Sequence, residues 1–166
     1  ELDAGDIIRQ VSTPVSRTET AQELYDRLAQ LGGELLVETV TAIADGTAQR
    51  TPQDPAEVTL APMLSRELSP IDWTRTAAQI HDQVRGLLPW PVASTDLFGG
   101  DKVKIFTTIE TEDKTGKEPG TILRADKAGI NVACGGGTVL RITELQAPGS
   151  RRMAAADYLR GHPITV

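Results

Sequence analysis

Cysteine is almost absent from this 166-residue chain: Cys134 stands alone, so no disulfide can form within it. A lone cysteine fits a reducing, cytoplasmic compartment. Ending the apolar run Ile130 to Cys134, it reads as a small buried hydrophobe. Aromatic residues make up only 4% of the chain, against an apolar fraction of 39%, so a core must be built mainly from aliphatic side chains. No stretch approaches the roughly 20 apolar residues of a membrane helix, and no signal-peptide pattern opens the sequence. No membrane partner is expected. The two histidines, His81 and His162, have no Cys or carboxylate neighbours at metal-ligand spacing, so no metal site is expected. His81 falls one place past Ile80 and is expected to face solvent from a helix. No nucleophile with an adjacent base stands out.

Positive charge is also short overall, with a net charge of −6, but its distribution matters more than its sum. Residues 1–70 hold 12 acids and 5 bases, a net −7, whereas residues 71–166 hold 11 acids and 12 bases, a net +1. From Gly120 onward there are 3 acids and 6 bases, a net +3. The second half can meet a polyanion where the first cannot.

What is present begins with a strand pattern, Ile7 to about Val15, in which Pro14 marks an edge or an end. It has no obvious partner before Asp101, and the chain opens without Met, so a piece of a longer protein is expected. Thr20 and Glu23 form a capping box. Leu24, Leu28, Leu31 and Leu35, extended by Leu36, Val40 and Ile43, mark a helix face that Gly32-Gly33 should weaken or kink and Gly46 should stop. Thr47 to Ser69 has three prolines and little periodicity and reads as an extended linker.

The stretch Ile71 to Pro91 reads as a short helix ending in a rigid corner. Thr74 is the expected cap, Ala77, Ile80, Val84 and Leu87 form one apolar stripe, and Trp90 is expected to pack between Pro89 and Pro91. The period then changes to two. Lys102 to Phe106 alternates as a half-buried strand with both lysines on the wet face. Glu110 to Glu118 reads as a polar loop, Pro119-Gly120 as a turn, and Thr121–Ala125, Ile130–Cys134 and Thr138–Leu145 as strands. Met153 to Arg160 reads as a closing helix. Short strands with turns and a terminal helix suggest a small barrel of the oligonucleotide-binding type.

Gly135-Gly136-Gly137 could cradle a phosphate, but a β-rich run follows it rather than a helix, so a turn needing positive φ is the simpler reading. Asp3 and Asp6 flank Gly5 either as an Asx-turn or as acids set in a loop where a carboxylate handles a proton. Lys102, Lys104, Arg124, Arg141, Arg151 and Arg152 form either a basic, phosphate-binding surface or ordinary solvated charge; composition alone does not decide.

Taken together these pieces resemble the methionyl-tRNA formyltransferase family. The resemblance rests on Leu2-Asp3-Ala4-Gly5-Asp6, Ala61-Pro62, Ile71-Asp72-Trp73, Arg85 to Pro91, Pro119-Gly120-Thr121-Ile122, Leu145-Gln146, Gly149 and Met153, in order along nearly the whole chain. It implies an α+β chain: residues 1–46 as the end of a Rossmann-like catalytic domain, 47–66 as a linker, and 67–166 as an OB-like β-barrel that binds tRNA. It implies formyl transfer from 10-formyltetrahydrofolate to the amino group of initiator methionyl-tRNA. Asp3 matches the family's catalytic aspartate, and Leu2, Asp3, Ala4 and Gly5 its folate-facing loop. The Asn and His that stabilise the oxyanion in this family lie earlier than Glu1, so the chain alone is expected to be inactive. The resemblance also suggests a monomer. Where the family has paired lysines after Gly149, this chain has Ser150-Arg151-Arg152. Two other readings remain: a formyltransferase acting on a small amine or nucleotide sugar, and a free-standing OB-type nucleic-acid-binding module.

Overall fold

The computed structural model describes residues 4–166. Leu2 and Asp3 lie outside the described residues. The chain divides into two compact units, one ending at Met63 and the other spanning Leu64–Val166.

The first unit is dominated by helix α1, Ala21–Ala44. Its start is the expected capping box: the Thr20 hydroxyl accepts from the Glu23 N–H, and the Glu23 carboxylate accepts from the Thr20 N–H at 2.8 Å. The bond from the Thr20 backbone, then that from its hydroxyl, holds the Glu23 carboxyl below its ordinary value. Gly46, with φ +68°, follows the C-terminal cap as expected. Gly32-Gly33 does not break the helix. Both glycines are exposed with nothing within 4 Å of an added β-carbon, so they weaken the helix without redirecting it. Nor is the leucine face uniformly covered: Leu24, Leu31 and Leu35 are half-buried, while Leu28, Leu36, Val40 and Ile43 are exposed.

The strand expected over Ile7 to Val15 does not form. Ile7 makes one isolated bridge with Thr51. A strand needs a ladder partner along its length, and this segment is held by a side chain instead. The Arg27 guanidinium donates to the Glu19 carboxylate at 2.8 and 2.9 Å, to the Pro14 carbonyl at 2.9 Å and to the Thr13 hydroxyl. Within Thr47 to Met63 the chain has no helix or strand apart from a short 3-10 turn, Pro55–Glu57, capped by Asp54, and the isolated bridge at Thr51.

The second unit is an antiparallel sheet with two helices packed on it. Its strands are β1 (Ala93–Thr95), β2 (Val103–Lys114), β3 (Ile122–Asp126), β4 (Gly129–Ala133), β5 (Thr138–Gln146) and β6 (Met153–Ala154). The ladder runs β1-β2-β5-β4-β3, and β6 pairs the end of β5. Polar Glu110 to Lys114 is strand rather than loop: Lys114 pairs with Thr138, and the segment's polarity reflects exposure. The predicted strands after Gly120 form close to their expected bounds. Met153-Ala154 belongs to β6, so the closing helix α3 is shorter than expected, Ala155–Gly161.

Helix α2, Ala77–Gly86, presents the expected stripe: Ala77, Ile80, Val84 and the following Leu87 are all buried. Its cap is Thr76, not Thr74. The Thr76 and Gln79 side chains satisfy each other's backbone N–H, whereas the Thr74 hydroxyl and N–H both turn to the Asp72 carboxylate, at 2.6 and 3.0 Å. These bonds, from the hydroxyl first, hold the Asp72 carboxyl below its ordinary value. The stripe meets Val103 and Ile105 of β2, Ile130 and Val132 of β4 and Leu140, Ile142 and Leu145 of β5 in one core.

The tryptophan in that core is Trp73, 8% exposed, and its indole N–H donates to the buried Thr95 hydroxyl at 3.1 Å. Trp90 is 50% exposed, contrary to the packed corner expected for it. The Val92 N–H bonds the Leu87 carbonyl at 3.0 Å, and the turn so closed leaves Pro89 and Trp90 exposed while Pro91 is buried.

Candidate nucleic-acid interface

Alternation along β2 buries Val103 and Ile105 and leaves Lys102 and Lys104 exposed, as the sequence predicts. A register irregularity between Ile105 and Thr107 then keeps Phe106 and Thr107 on the outer side while Thr108 turns inward. On β5 the inward residues are Leu140, Ile142 and Leu145, and the outward ones are Arg141, Thr143, Glu144 and Gln146. Lys104 pairs with Gln146, Thr107 with Glu144 and Ile109 with Arg141. Four of the six expected basic residues therefore belong to one outer face: Lys104, Arg124, Arg141 and Arg152.

They are not equivalent. Arg152 is held twice: its guanidinium carbon lies 4.6 Å from the Phe106 ring centroid, and one of its nitrogens donates to the Glu144 carboxylate. Glu144 also accepts from the Thr107 hydroxyl at 2.6 Å. These two bonds, Arg152's first, hold the Glu144 carboxyl below its ordinary value. Arg141 donates through Nε to Asn131 Oδ1 at 2.9 Å, and Asn131 is 4% exposed. Arg124 stands across from Asn131 on β3 and pairs with Asp126 at 3.0 Å. The row Arg124–Asn131–Arg141–Ile109 thus crosses four strands.

Lys102 and Lys104 instead flank a cleft of about 270 Å³ closed on its other side by Gln146 and the turn Ala147-Pro148-Gly149. Gln146 Nε2 donates to the Ser150 carbonyl at 2.7 Å and fixes that turn. Gly149, with φ +70°, supplies its reversal. Arg151 is exposed just beyond. Among the described residues no acid lies within ion-pairing distance of Lys102, Lys104 or Arg151, so these three cations remain available to an outside anion. The alternation of Lys102 to Phe106 already carried Phe106 in phase with the lysines, but Glu144, Asn131 and Gln146 were missed, because only the strand register brings them to the basic residues.

The expected catalytic residue, Asp3, and its neighbour Leu2 lie outside the described residues. Ala4 and Gly5 are exposed, and the Gly5 carbonyl accepts from Gln53 Nε2 at 2.8 Å. Neither carries a polar side chain, so what they offer a ligand is backbone alone.

Cys134 is buried as expected, and loss of solvation pushes its thiol up to about 11. His81 is not the solvent-facing residue expected. Its Nδ1 lies 2.9 Å from the hydroxyl of buried Thr108, an inward hydroxyl that the strand irregularity presents to α2. Gly135 to Gly137 form a turn, with Gly136 and Gly137 both at φ +66°. No helix among the described residues is long and apolar enough to cross a membrane.

The profile of the family described as formyl transferase, C-terminal domain, matches residues 63–163. Methionyl-tRNA formyltransferase of Bacillus velezensis is 40% identical over 99% of this chain and 51% of its own length, and that of Acetivibrio thermocellus is 43% identical over 98% and 52%. The chain thus spans about half the length of the curated relatives it matches. Among solved structures, HypX from Aquifex aeolicus in complex with tetrahydrofolic acid superposes with a TM-score of 0.67 at 23% identity, over 96% of this chain and 28% of that one. An N-formyltransferase from Helicobacter canadensis, in complex with folinic acid and dTDP-3-aminofucose, gives 0.64 at 20%, over 89% and 52%. These two share the fold.

Proposed function

The chain belongs to the formyl transferase C-terminal-domain family, and from that premise we propose that it is the tRNA-gripping portion of a methionyl-tRNA formyltransferase. The whole enzyme transfers a formyl group from 10-formyltetrahydrofolate to the amino group of methionine on initiator tRNA, in the cytoplasm and as a monomer. Residues 1–46 are the end of its Rossmann-like catalytic domain, 47–66 the linker and 67–166 an OB-like barrel. Irregularities in the pairing of β2 with β5 support the last assignment, since such bulges bend a sheet toward closure.

The observation that carries the reading is about 40% identity, along nearly the whole chain, to proteins named for that activity. The basic residues of the sheet's outer face and of the cleft beside it support it. Lys102, Lys104 and Arg151 supply unpaired cations for phosphates. Arg152, fixed by Phe106 and Glu144, presents its remaining N–H groups in one orientation. Arg141 and Arg124 continue the basic row. In this account Asp3 handles protons as the amine attacks the formyl carbon, with Leu2, Ala4 and Gly5 beside the folate; that chemistry needs partners outside these residues. The relatives named for tRNA share about twice the identity of the sugar-amine formyltransferase structure, which favours tRNA over a small amine.

Two assays on the 166-residue chain test this. Initiator tRNA should bind at low salt, and methionyl-tRNA with 10-formyltetrahydrofolate should give no turnover. Absence of tRNA binding at low salt removes the reading, and turnover by the chain alone removes the division of labour.

A further inference from the structure

The structure assigns a second, aromatic subsite beside the lysine cleft, and we propose that it receives one unstacked nucleobase of a bound RNA whose phosphate rests on Lys102 and Lys104. This rests on the nucleic-acid reading above and adds a contact that phosphate binding does not require.

A cavity of about 270 Å³ lies between the end of α3 and the loop after β1, lined among others by Leu97, Phe98, Ile122, Tyr158, His162 and Ile164. Three of those six carry planar rings, in a chain with only 4% aromatic residues. Tyr158 and His162 stack face to face, 4.3 Å between centroids and 4° from parallel, and Phe98 tilts against Tyr158 at 6.0 Å. Tyr158 is buried and forms the floor, whereas His162 is exposed. One face of the imidazole is taken by Tyr158, which leaves the other to a third ring. His162 Nδ1 lies 3.2 Å from the Tyr158 carbonyl, which can only accept, so Nδ1 carries a proton and the ring is locked in this plane. A fixed flat ring beside an apolar hollow suits a nucleobase, which every base can occupy through its π face.

The connection to the cleft is covalent and short. Gly99 lines the aromatic cavity and Lys102 lines the cleft. Three residues span at most roughly 11 Å, so the two sites are neighbours. Between them Gly99 and Gly100 take φ +95° and +91°, a reversal that turns the loop from one site to the other. Phe98, at the start of this loop, rests its ring against Tyr158, so the loop lies against the aromatic floor. An apolar protein side chain would also fill the hollow, but it would make no use of the lysine cleft three residues away.

The test uses the 166-residue chain and a short single-stranded RNA carrying 2-aminopurine, whose fluorescence stacking quenches. The parent should quench it on binding. His162→Ala, at an exposed position, should weaken binding about tenfold and relieve the quenching, while His162→Phe should retain both. An oligonucleotide of the same length without bases should bind parent and His162→Ala equally. If His162→Ala binds and quenches like the parent while Lys102→Ala and Lys104→Ala weaken binding, the base subsite is wrong, the cavity is left to an apolar side chain, and the phosphate reading survives. If the parent binds no RNA at low salt, the underlying nucleic-acid reading fails instead.

Discussion

A β-carbon on Gly135 would stand 1.7 Å from the carbonyl oxygen of Thr74. The approach is this close because the Gly135 N–H bonds the carbonyls of both Trp73 and Arg75, at 3.0 and 2.8 Å, tying the turn before β5 to the approach of α2. Neither neighbour is a flexible side-chain end. Gly135→Ala should therefore cost about 3 kcal/mol or more, as severe overpacking does, and denaturant unfolding measures it. A cost under 1 kcal/mol would show that the two backbones can separate freely.

The two tryptophans should behave in opposite ways. Trp73→Ala removes a buried ring and its bond to Thr95, and should cost about 3–5 kcal/mol. Trp90→Ala, at a half-exposed position, should cost less than about 1 kcal/mol. Guanidinium unfolding of the two variants checks the ranking; an equal loss would contradict a buried Trp73 and a half-exposed Trp90.

Cys134 makes stability fall in alkali. Its thiol is raised from 9.0 to about 11 in the fold, so the folded state keeps a proton that the unfolded chain has released. That stability is complete below pH 9 and is lost as pH rises from 9 toward 11, by about 2 kcal/mol. Cys134→Ala should flatten the fall over that window. The parent thiol should also resist a disulfide reagent at pH 8 until the chain unfolds.

Glu144 should titrate below the ordinary carboxylate range, because ionised Glu144 is held by Arg152 first and then by Thr107. Its contribution to stability is present above the ordinary value and lost as pH falls through the lowered one. Carbon-detected NMR titration reads this directly. Arg152→Ala should move the Glu144 titration upward, and Arg151→Ala should leave it in place. A shift of equal size in both variants would mean that Arg152 does not hold the carboxylate.

Much of the second unit was legible from period-two alternation and from the glycines that punctuate it, because burial on one face of a sheet selects residue types strongly. The stripe Ala77, Ile80, Val84 and Leu87 was legible for the same reason. The failures have local causes. Two threonines two places apart compete for one cap, and Asp72 removes Thr74 from the contest. Polarity made Glu110 to Lys114 resemble a loop, but it marks the wet end of a long strand. Trp90 looked packed because prolines flank it, although rigidity says nothing about which way a corner points. The isolated apolar residues from Ile7 to Val15 suggested a strand, but only Ile7 finds a backbone partner. Of the candidate interface, the cations could be named in advance, but their sorting into held and free ones depends on Glu144, Asn131 and Asp126, reached only through register and packing.

The salt dependence of initiator tRNA binding to the parent chain and to the Lys102→Ala/Lys104→Ala double variant tests the phosphate site most directly. Each lysine that neutralises a phosphate releases counterions, so the plot of log affinity against log salt should become shallower by roughly one to two units in the double variant. Equal slopes for the two proteins would contradict the lysine cleft as a phosphate site.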